Sequence, residues 1–407
     1  MTEPAPDSLL IYAPVPLYRA QGRLYVEKQA LNGLRLWARN FAQVTVMMPL
    51  SEGPPPQGWV AVDTITAELD RVRLEPLPMA YRPDRFLRYY RSTRRRIREL
   101  IGQARYLSFA IGGLFGDWGA VSCFEADRQD RPFAVWTDRV ESEVVRRGAG
   151  QGPWRRRLRA RLEHRPMAWL ERAVIRRAAL GLFHGRETFD TYAPYSRNPQ
   201  LVHDIHIDRA DHISAEALAA KREAAGEGPL RLCYVGRADD MKGPLDWIEV
   251  LGRLRADGVD FTATWLGEGE QMSMMRTKID ALGLGDVVHT PGFAADRAEV
   301  LQAYRAAQIF LFCHKTPESP RCLIEALISG TVLVGYDGAF ARDLTEPHGS
   351  GQFVPVGDMS GLADTVARLA SDRSELADLT GRAAQDGAPF DDVSVFEHRS
   401  EVIKQYL

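Results

Sequence analysis

Short apolar runs recur along this chain at 9–13, 43–48, 105–110, 132–137, 180–184 and 200–205. They return at 230–235, 261–266, 287–289, 309–313, 331–336 and 353–356. Runs of this length, rich in β-branched and aromatic residues, predict strands. Most of the gaps between them read as helices. One helix is expected over 24–39. Another begins at Pro83, with Phe86, Tyr90, Ile97 and Ile101 on one side and Arg88, Arg91, Arg94, Arg95 and Arg98 on the other. A third covers 153–179, where Pro166 is expected to break or kink the run. A final amphipathic helix covers 391–406. SEGPPPQG at 51–58 is a loop, and two short β-like segments follow at 59–65 and 71–77. Strands alternating with helices predict parallel sheets, and the pattern occurs twice. The expected architecture is α/β, with two doubly wound Rossmann-like domains facing each other. Residues 1–207 form the first domain, 208–229 a linker ending in Gly-Glu-Gly-Pro, 230–388 the second domain, and 389–407 a last helix.

The stretch 308–338, QIFLFCHKTPESPRCLIEALISGTVLVGYDG, carries the densest candidate chemistry. A strand, a helix from about Arg321 to Gly330 and a second strand make a βαβ unit, which needs a parallel sheet. Glu318 falls in the loop after the first strand, and Glu325 lies one turn into the helix. In open α/β sheets ligands bind at that carboxyl edge. A second candidate lies at 235–244. Gly236 ends a strand, and Arg237 and Lys242 sit on the loop before a helix starting near Pro244. Two cations beside free backbone N–H groups suit a diphosphate. The plainer alternatives are solvated loop charges for Arg237, Lys242 and Glu318, and a helix residue paired with a nearby arginine for Glu325.

Composition narrows the class. At 407 residues, 45% hydrophobic and 26% charged, the chain has the make-up of a globular protein of two domains. It has no apolar run of membrane-spanning length, and its acidic N-terminus does not read as a signal peptide. Four cysteines without CxxC or metal spacing fit a reducing, cytoplasmic setting. The formal net charge of −2 conceals an asymmetry. Residues 1–207 hold 32 Lys+Arg against 22 Asp+Glu, and residues 208–407 hold 20 against 32. A basic first half either meets the acidic second half or faces something anionic, such as a membrane or a phosphorylated substrate.

LCYVGR…KG at 232–243, LGEGEQ at 266–271, VVHTPGF at 287–293 and ESPRCLIEALISGTVLVGYDG at 318–338 stand in an order and phase that resemble the retaining GT-B glycosyltransferases of family four, the group 1 transferases. The resemblance covers residues 230–358. It implies a GT-B fold with two domains across a cleft and a C-terminal helix packing back toward the N-terminal domain. It implies Arg237 and Lys242 on the donor diphosphate, Glu325 on the nucleotide ribose and Glu318 on the donor sugar. Gly236, Ser319, Arg321, Cys322 and Leu323 would lie close to the donor. Three departures stand out. Six residues rather than seven separate the two acids. The first-domain loop has Gln21-Gly22-Arg23 where paired glycines are usual, leaving Gly22 to allow close approach to the donor. Thr137-Asp138 replaces a His-Asp pair, making Asp138 the candidate polar group on the acceptor side.

The implied reaction moves a hexose-type sugar, with retention, from a nucleotide diphosphate (UDP or GDP) to a lipid-linked or cell-envelope glycan acceptor. No cofactor or metal is expected. His203 and His206 read as strand-end residues rather than ligands, and Asp239-Asp240 is not an Asp-x-Asp metal motif. Two other classes remain. Gly112-Gly113-x-x-Gly116 after a strand, with Asp138 ending the next, loosely resembles the dinucleotide fingerprint of an NAD-type oxidoreductase. The arginine-rich helices could make a nucleic-acid or membrane binder without catalysis. Basic amphipathic helices with aromatics such as Trp154 and Trp169 favour the membrane over nucleic acid. Docking is therefore expected through 85–98 and 154–177 onto anionic lipid, on the inner face of the membrane.

Overall fold

The computed structural model describes the chain except residues 1–4, 57, 149–153, 204, 206, 295 and 317–319. It divides into two units, residues 1–206 with 392–407, and residues 207–391.

The first unit holds β1 (Ala5–Tyr12), β2 (Leu17–Ala20), β3 (Arg23–Glu27), β4 (Gln43–Glu52), β5 (Trp59–Ala61), β6 (Val72–Pro78), β7 (Ala104–Ala110), β8 (Ala134–Thr137), β9 (Leu180–His184) and β10 (Pro199–Val202). Their order is β10-β9-β8-β7-β1-β4-β2-β3-β5, with β6 also paired to β4. The β10-to-β4 stretch is parallel, and only the β2–β3 and β3–β5 pairings are antiparallel. Side chains alternate across the sheet. Leu10 and Tyr12 join one buried cluster with Leu107, Phe109 and Val135, packed under helices Pro83–Gln103 and Trp118–Arg128. Leu9 and Ile11 join the opposite cluster with Val44, Val46 and Leu182, under helices Lys28–Asn40 and Asp392–Tyr406. Both faces are covered, as a doubly wound sheet requires.

The C-terminal helix belongs to this first unit. Phe396 is buried with its ring centroid 5.0 Å from that of Trp37. Asn32 donates to Asp392 at 2.8 Å, and Lys404 donates to the Asn40 carbonyl at 2.6 Å. Burying a phenylalanine is worth roughly 1.5–3 kcal/mol, more than a typical net hydrogen bond, so hydrophobic packing dominates over these polar ties.

The second unit holds β11 (Leu230–Val235), β12 (Phe261–Leu266), β13 (Val288–Gly292), β14 (Ile309–Phe312), β15 (Val332–Tyr336) and β16 (Gln352–Val354). They form a parallel sheet in the order β13-β12-β11-β14-β15-β16. Every residue of β14 and β15 is buried, which explains why both read as unbroken apolar runs rather than alternating ones.

Three local expectations change. The helix expected from residue 24 starts at Lys28, because Arg23–Glu27 instead pairs with β2 in a hairpin. Gln21 (φ 50°) and Gly22 (φ 78°) form its tip, a positive-φ pair matching the twist of the strands. Pro166 lies inside helix Trp154–Ile175 without ending it. Met167 is buried one residue on, and Glu171 accepts from the Ser142 N–H and hydroxyl, so tertiary contacts hold the run across the missing hydrogen bond.

Residues 208–229, expected as a linker, are folded into the second unit. Ser214 caps helix Ala215–Glu223. Lys221 inserts from that helix, donating to the Tyr304 and Ser329 carbonyls and to the Thr331 hydroxyl at 2.8–3.1 Å. An Ala/Glu-rich composition concealed a docked helix, because one buried lysine anchors it rather than an apolar stripe.

Candidate functional site

In the second unit, the loop between β11 and helix Pro244–Ala256 is built by backbone contact. Gly236 has φ 151° and donates to the Leu266 carbonyl at 2.9 Å. Gly267 lies so close that a Cβ there would sit 2.0 Å from the Gly236 oxygen, so only glycine fits. Arg237 leaves this turn exposed, its Nε 3.3 Å from Asp239. Lys242, five residues on, is buried beside His314. Burial, and then the Lys242 charge, push His314 down to about 3, leaving a neutral ring whose Nε2 lies 3.0 Å from the Tyr234 hydroxyl. Gly243 then enters the helix in the left-handed region, and no side chain caps that N-terminus. Arg237, Lys242 and an uncapped helix start therefore share one loop at the carboxyl edge of the sheet. The two cations differ in exposure, which the sequence did not distinguish.

Lys315, after β14, belongs to the same edge and was not singled out from the sequence. Its N–H donates to the Met241 carbonyl at 2.8 Å, and its Nζ lies 3.0 Å from Asp246, which also accepts from the Tyr336 hydroxyl at 3.0 Å. A charged residue three positions past an unbroken apolar strand is the signal available.

Glu325 is 7% exposed on helix Arg321–Ile328. One carboxylate oxygen accepts from Arg297 at 2.5 Å and the other from the Tyr304 hydroxyl at 3.1 Å. Arg297 also holds Asp211 at 2.9 Å. The plainer alternative, a helix glutamate paired with an arginine, is thus present in the structure. A carboxylate offers about four lone-pair sites, so a ligand hydroxyl could still bind the remaining ones. Arg321 is exposed and Cys322 half-buried. Leu323 is buried in the core and its N–H goes to the Pro320 carbonyl, so its side chain packs rather than faces a ligand. Glu318 and Ser319 lie outside the described residues.

In the first unit, Gly22 sits at an open hairpin tip, where the turn itself explains the glycine and no helix begins. Asp138, by contrast, lines a cavity of 610 Å³ at the carboxyl ends of β1, β7 and β8. Tyr12, Tyr81, Asp117, Trp136 and Glu141 line it too, and no sequence motif marks these five. They come from the ends of β1 and β8, the start of the helix at Glu141 and two loops, and the fold rather than one motif brings them together.

The Gly112-Gly113 turn borders this cavity, and its geometry argues against the dinucleotide reading. Asp117 caps helix Trp118–Arg128 and accepts from the N–H groups of Gly112, Gly113 and Ala120 at 3.1–3.3 Å. A pyrophosphate needs those donors, and a buried carboxylate already uses them. Burial pushes Asp117 up to about 6, opposed by these backbone hydrogen bonds.

The basic helices are partly neutralised from within. Arg94, Arg98 and Arg128 converge on the buried carboxylate of Glu125, and Arg96 pairs with Glu75. Arg88, Arg91 and Arg95 remain exposed. Leu158, Leu162 and Trp169 are exposed along helix Trp154–Ile175, with Arg161 and Arg165 between them. The side chains of 154–157 and 159–160 lie outside the described ones, as does His206. No helix among the described residues is long and apolar enough to cross a membrane, and no metal-ligating cluster occurs among them.

Residues 217–386 match the family described as Glycosyl transferases group 1. A putative colanic acid biosynthesis glycosyltransferase, WcaL of Escherichia coli K12, is 29% identical over 248 residues, covering 53% of this chain and 61% of that protein. The chain spans about half the length of the curated relatives it matches. Among solved structures, HepE of Anabaena in complex with UDP superposes with a TM-score of 0.65 at 14% identity, covering 98% of this chain and 100% of that one. The apo form of the lipopolysaccharide outer core galactosyltransferase WaaB gives 0.64 at 12% identity, with 98% and 100% covered. The two Rossmann-like units have the GT-B fold of these neighbours.

Proposed function

We propose that this chain, whose residues 217–386 form a group 1 glycosyl transferase domain on a GT-B fold, moves a hexose-type sugar from a nucleotide diphosphate donor to a glycan acceptor. The loop from Gly236 to Gly243 carries this reading. It offers one exposed and one buried cation beside an uncapped helix N-terminus, at the sheet edge where α/β proteins hold ligands. Departure of a nucleoside diphosphate develops negative charge on the β-phosphate. Arg237 supplies a two-pronged donor to it, and Lys242 supplies a point charge in low dielectric, where each unit of charge acts more strongly than in water. Glu325, oriented by Arg297 and Tyr304, accepts ribose hydroxyls through its remaining lone pairs.

The nucleotide is UDP or GDP, and UDP in the HepE complex supports the first. No metal is required, because the cations and the helix end do its work. The acceptor is a lipid-linked or cell-envelope glycan, a reading supported by the names of WcaL and WaaB, and Asp138 faces it. The protein works in the cytoplasm, docked on the membrane through helices Pro83–Gln103 and Trp154–Ile175. Transfer retains the anomeric configuration, the acceptor attacking the face the phosphate leaves. NMR of the product tests this last point. An anomeric coupling matching the donor is expected, and an inverted centre contradicts it.

A further inference from the structure

The cavity of the first unit has a chemistry of its own. It lies where the strand order reverses, since the chain places β4 on one side of β1 and β7 on the other. That is the crevice in which open α/β sheets bind ligands. At 610 Å³ it is of small-molecule size and far beyond a packing void.

Its lining is acidic within a basic unit. Among the described residues, Glu27, Asp117, Asp138 and Glu141 face two guanidiniums, Arg139 and Arg399. Both guanidiniums are engaged. Arg139 donates to Glu141 at 2.6 Å, and Arg399 lies 5.1–5.3 Å from the ring centres of Trp37, Trp136 and Phe396. Asp138 is exposed, and no hydrogen bond or ion pair holds it among the described residues. Tyr12 is 3% exposed, and its hydroxyl meets no partner in good hydrogen-bond geometry, the Tyr81 hydroxyl and the Trp118 backbone being its near polar neighbours. A buried hydroxyl without a partner is costly unless a ligand supplies one.

We infer that this cavity is the acceptor subsite and that it takes an uncharged polyhydroxylated ring, whose hydroxyls donate to Asp138 and Glu141 and pair with the Tyr12 hydroxyl. The inference rests on the chain's being a glycosyl transferase. A phosphate or carboxylate on that ring would meet the exposed Asp138 carboxylate in a lining with more acids than guanidiniums, and both guanidiniums are already engaged, so an anionic ring is rejected there. The exposed arginines outside the cavity are then left to hold any anionic remainder of the acceptor.

Saturation-transfer NMR on the full chain without donor tests this. The neutral probes are the methyl α-pyranosides of glucose, galactose and mannose. The anionic probes are glucuronate and glucose 6-phosphate. At least one neutral glycoside should receive saturation, and the anionic probes none. Asp138→Asn and the volume-conserving Tyr12→Phe should each weaken that transfer at least fivefold, while UDP binding, followed by calorimetry, stays as in the wild type. Signal from the anionic probes, no signal from any neutral glycoside, or transfer unchanged in both variants overturns the subsite. Failure of UDP to bind the wild type counts instead against the donor reading, and leaves the cavity result standing.

Discussion

Arg297 donates to Glu325 at 2.5 Å across 28 residues of sequence, and Tyr304 donates to the other oxygen of the same carboxylate. Each partner comes from helix Arg297–Ala306, so one helix fixes the orientation of this buried acid. Arg297→Ala removes a charge-assisted bond to a buried group but leaves the tyrosine. A loss of about 1–3 kcal/mol in stability is expected, since the arginine is itself partly exposed. Urea denaturation measures it. An unchanged midpoint would show that the pair adds nothing.

Arg237 and Lys242 should separate in their effects. Arg237 is exposed, so Arg237→Ala should lower kcat by about 100-fold with stability within about 0.5 kcal/mol of wild type. Lys242→Ala should lower kcat similarly and also destabilise, because the lysine is buried beside His314. Turnover assays with paired melts read both. Full activity in either variant contradicts the assignment.

Burial pushes Lys221 down to about 7. The unfolded chain holds that proton up to about 10.4. Between these values the unfolded state binds the proton that the folded state has released, so stability rises with pH across that window. Its slope is at most about 1.4 kcal/mol per pH unit. Below about 7 both states hold the proton, so the slope vanishes and the burial penalty on the charged lysine applies in full. Lys221→Met should flatten this rise. It should also cost about 1–3 kcal/mol at neutral pH by leaving the Ser329 carbonyl without the lysine donor, while the Tyr304 carbonyl keeps the Thr331 hydroxyl. Denaturation at pH 7, 8 and 9 checks both, and an identical slope in the variant would refute the first.

Asp117 fills the anion position at the Gly112-Gly113 turn. Titration with a reduced nicotinamide dinucleotide should therefore leave its absorbance unchanged. A saturable change would restore the oxidoreductase reading.

Leu158, Leu162 and Trp169 recur at a spacing that keeps them on one side of helix Trp154–Ile175, and all are exposed. Anionic vesicles should carry the protein in flotation at low salt and release it at high salt. Each basic residue near the surface contributes about 1 kcal/mol. Trp169→Ala should weaken recovery at low salt. Absence of flotation at low salt removes membrane docking.

The strands were readable because buried parallel strands must be apolar throughout, as β14 and β15 are. The β2–β3 hairpin was not, since four- and five-residue strands carry too few alternations to outweigh a helical pattern nearby. Glu325 and the Arg237–Lys242 loop were legible as local motifs. What holds them was not. Arg297, Tyr304 and Lys315 reach the site through the tertiary fold, at sequence separations no local pattern reports. The first-unit cavity was hidden for the same reason. Asp138 is legible through the Thr137-Asp138 pair after its strand, while Tyr12 at the end of β1, Asp117 and the helix-starting Glu141 join it through the fold. The basic helices misled in part, because charge counting cannot see that Arg94, Arg98 and Arg128 share one buried glutamate.

The central claim is that a nucleotide diphosphate sugar binds at the loop of Arg237 and Lys242. A thermal-shift panel of UDP-, GDP-, ADP- and CMP-sugars, run on the wild type and on the Arg237→Ala Lys242→Ala double variant, tests it most directly. A UDP- or GDP-sugar should raise the wild-type midpoint, since ligand at 100 times its Kd adds about 2.7 kcal/mol. The double variant should show no rise. A panel without effect on the wild type, or an equal rise in the double variant, contradicts the account.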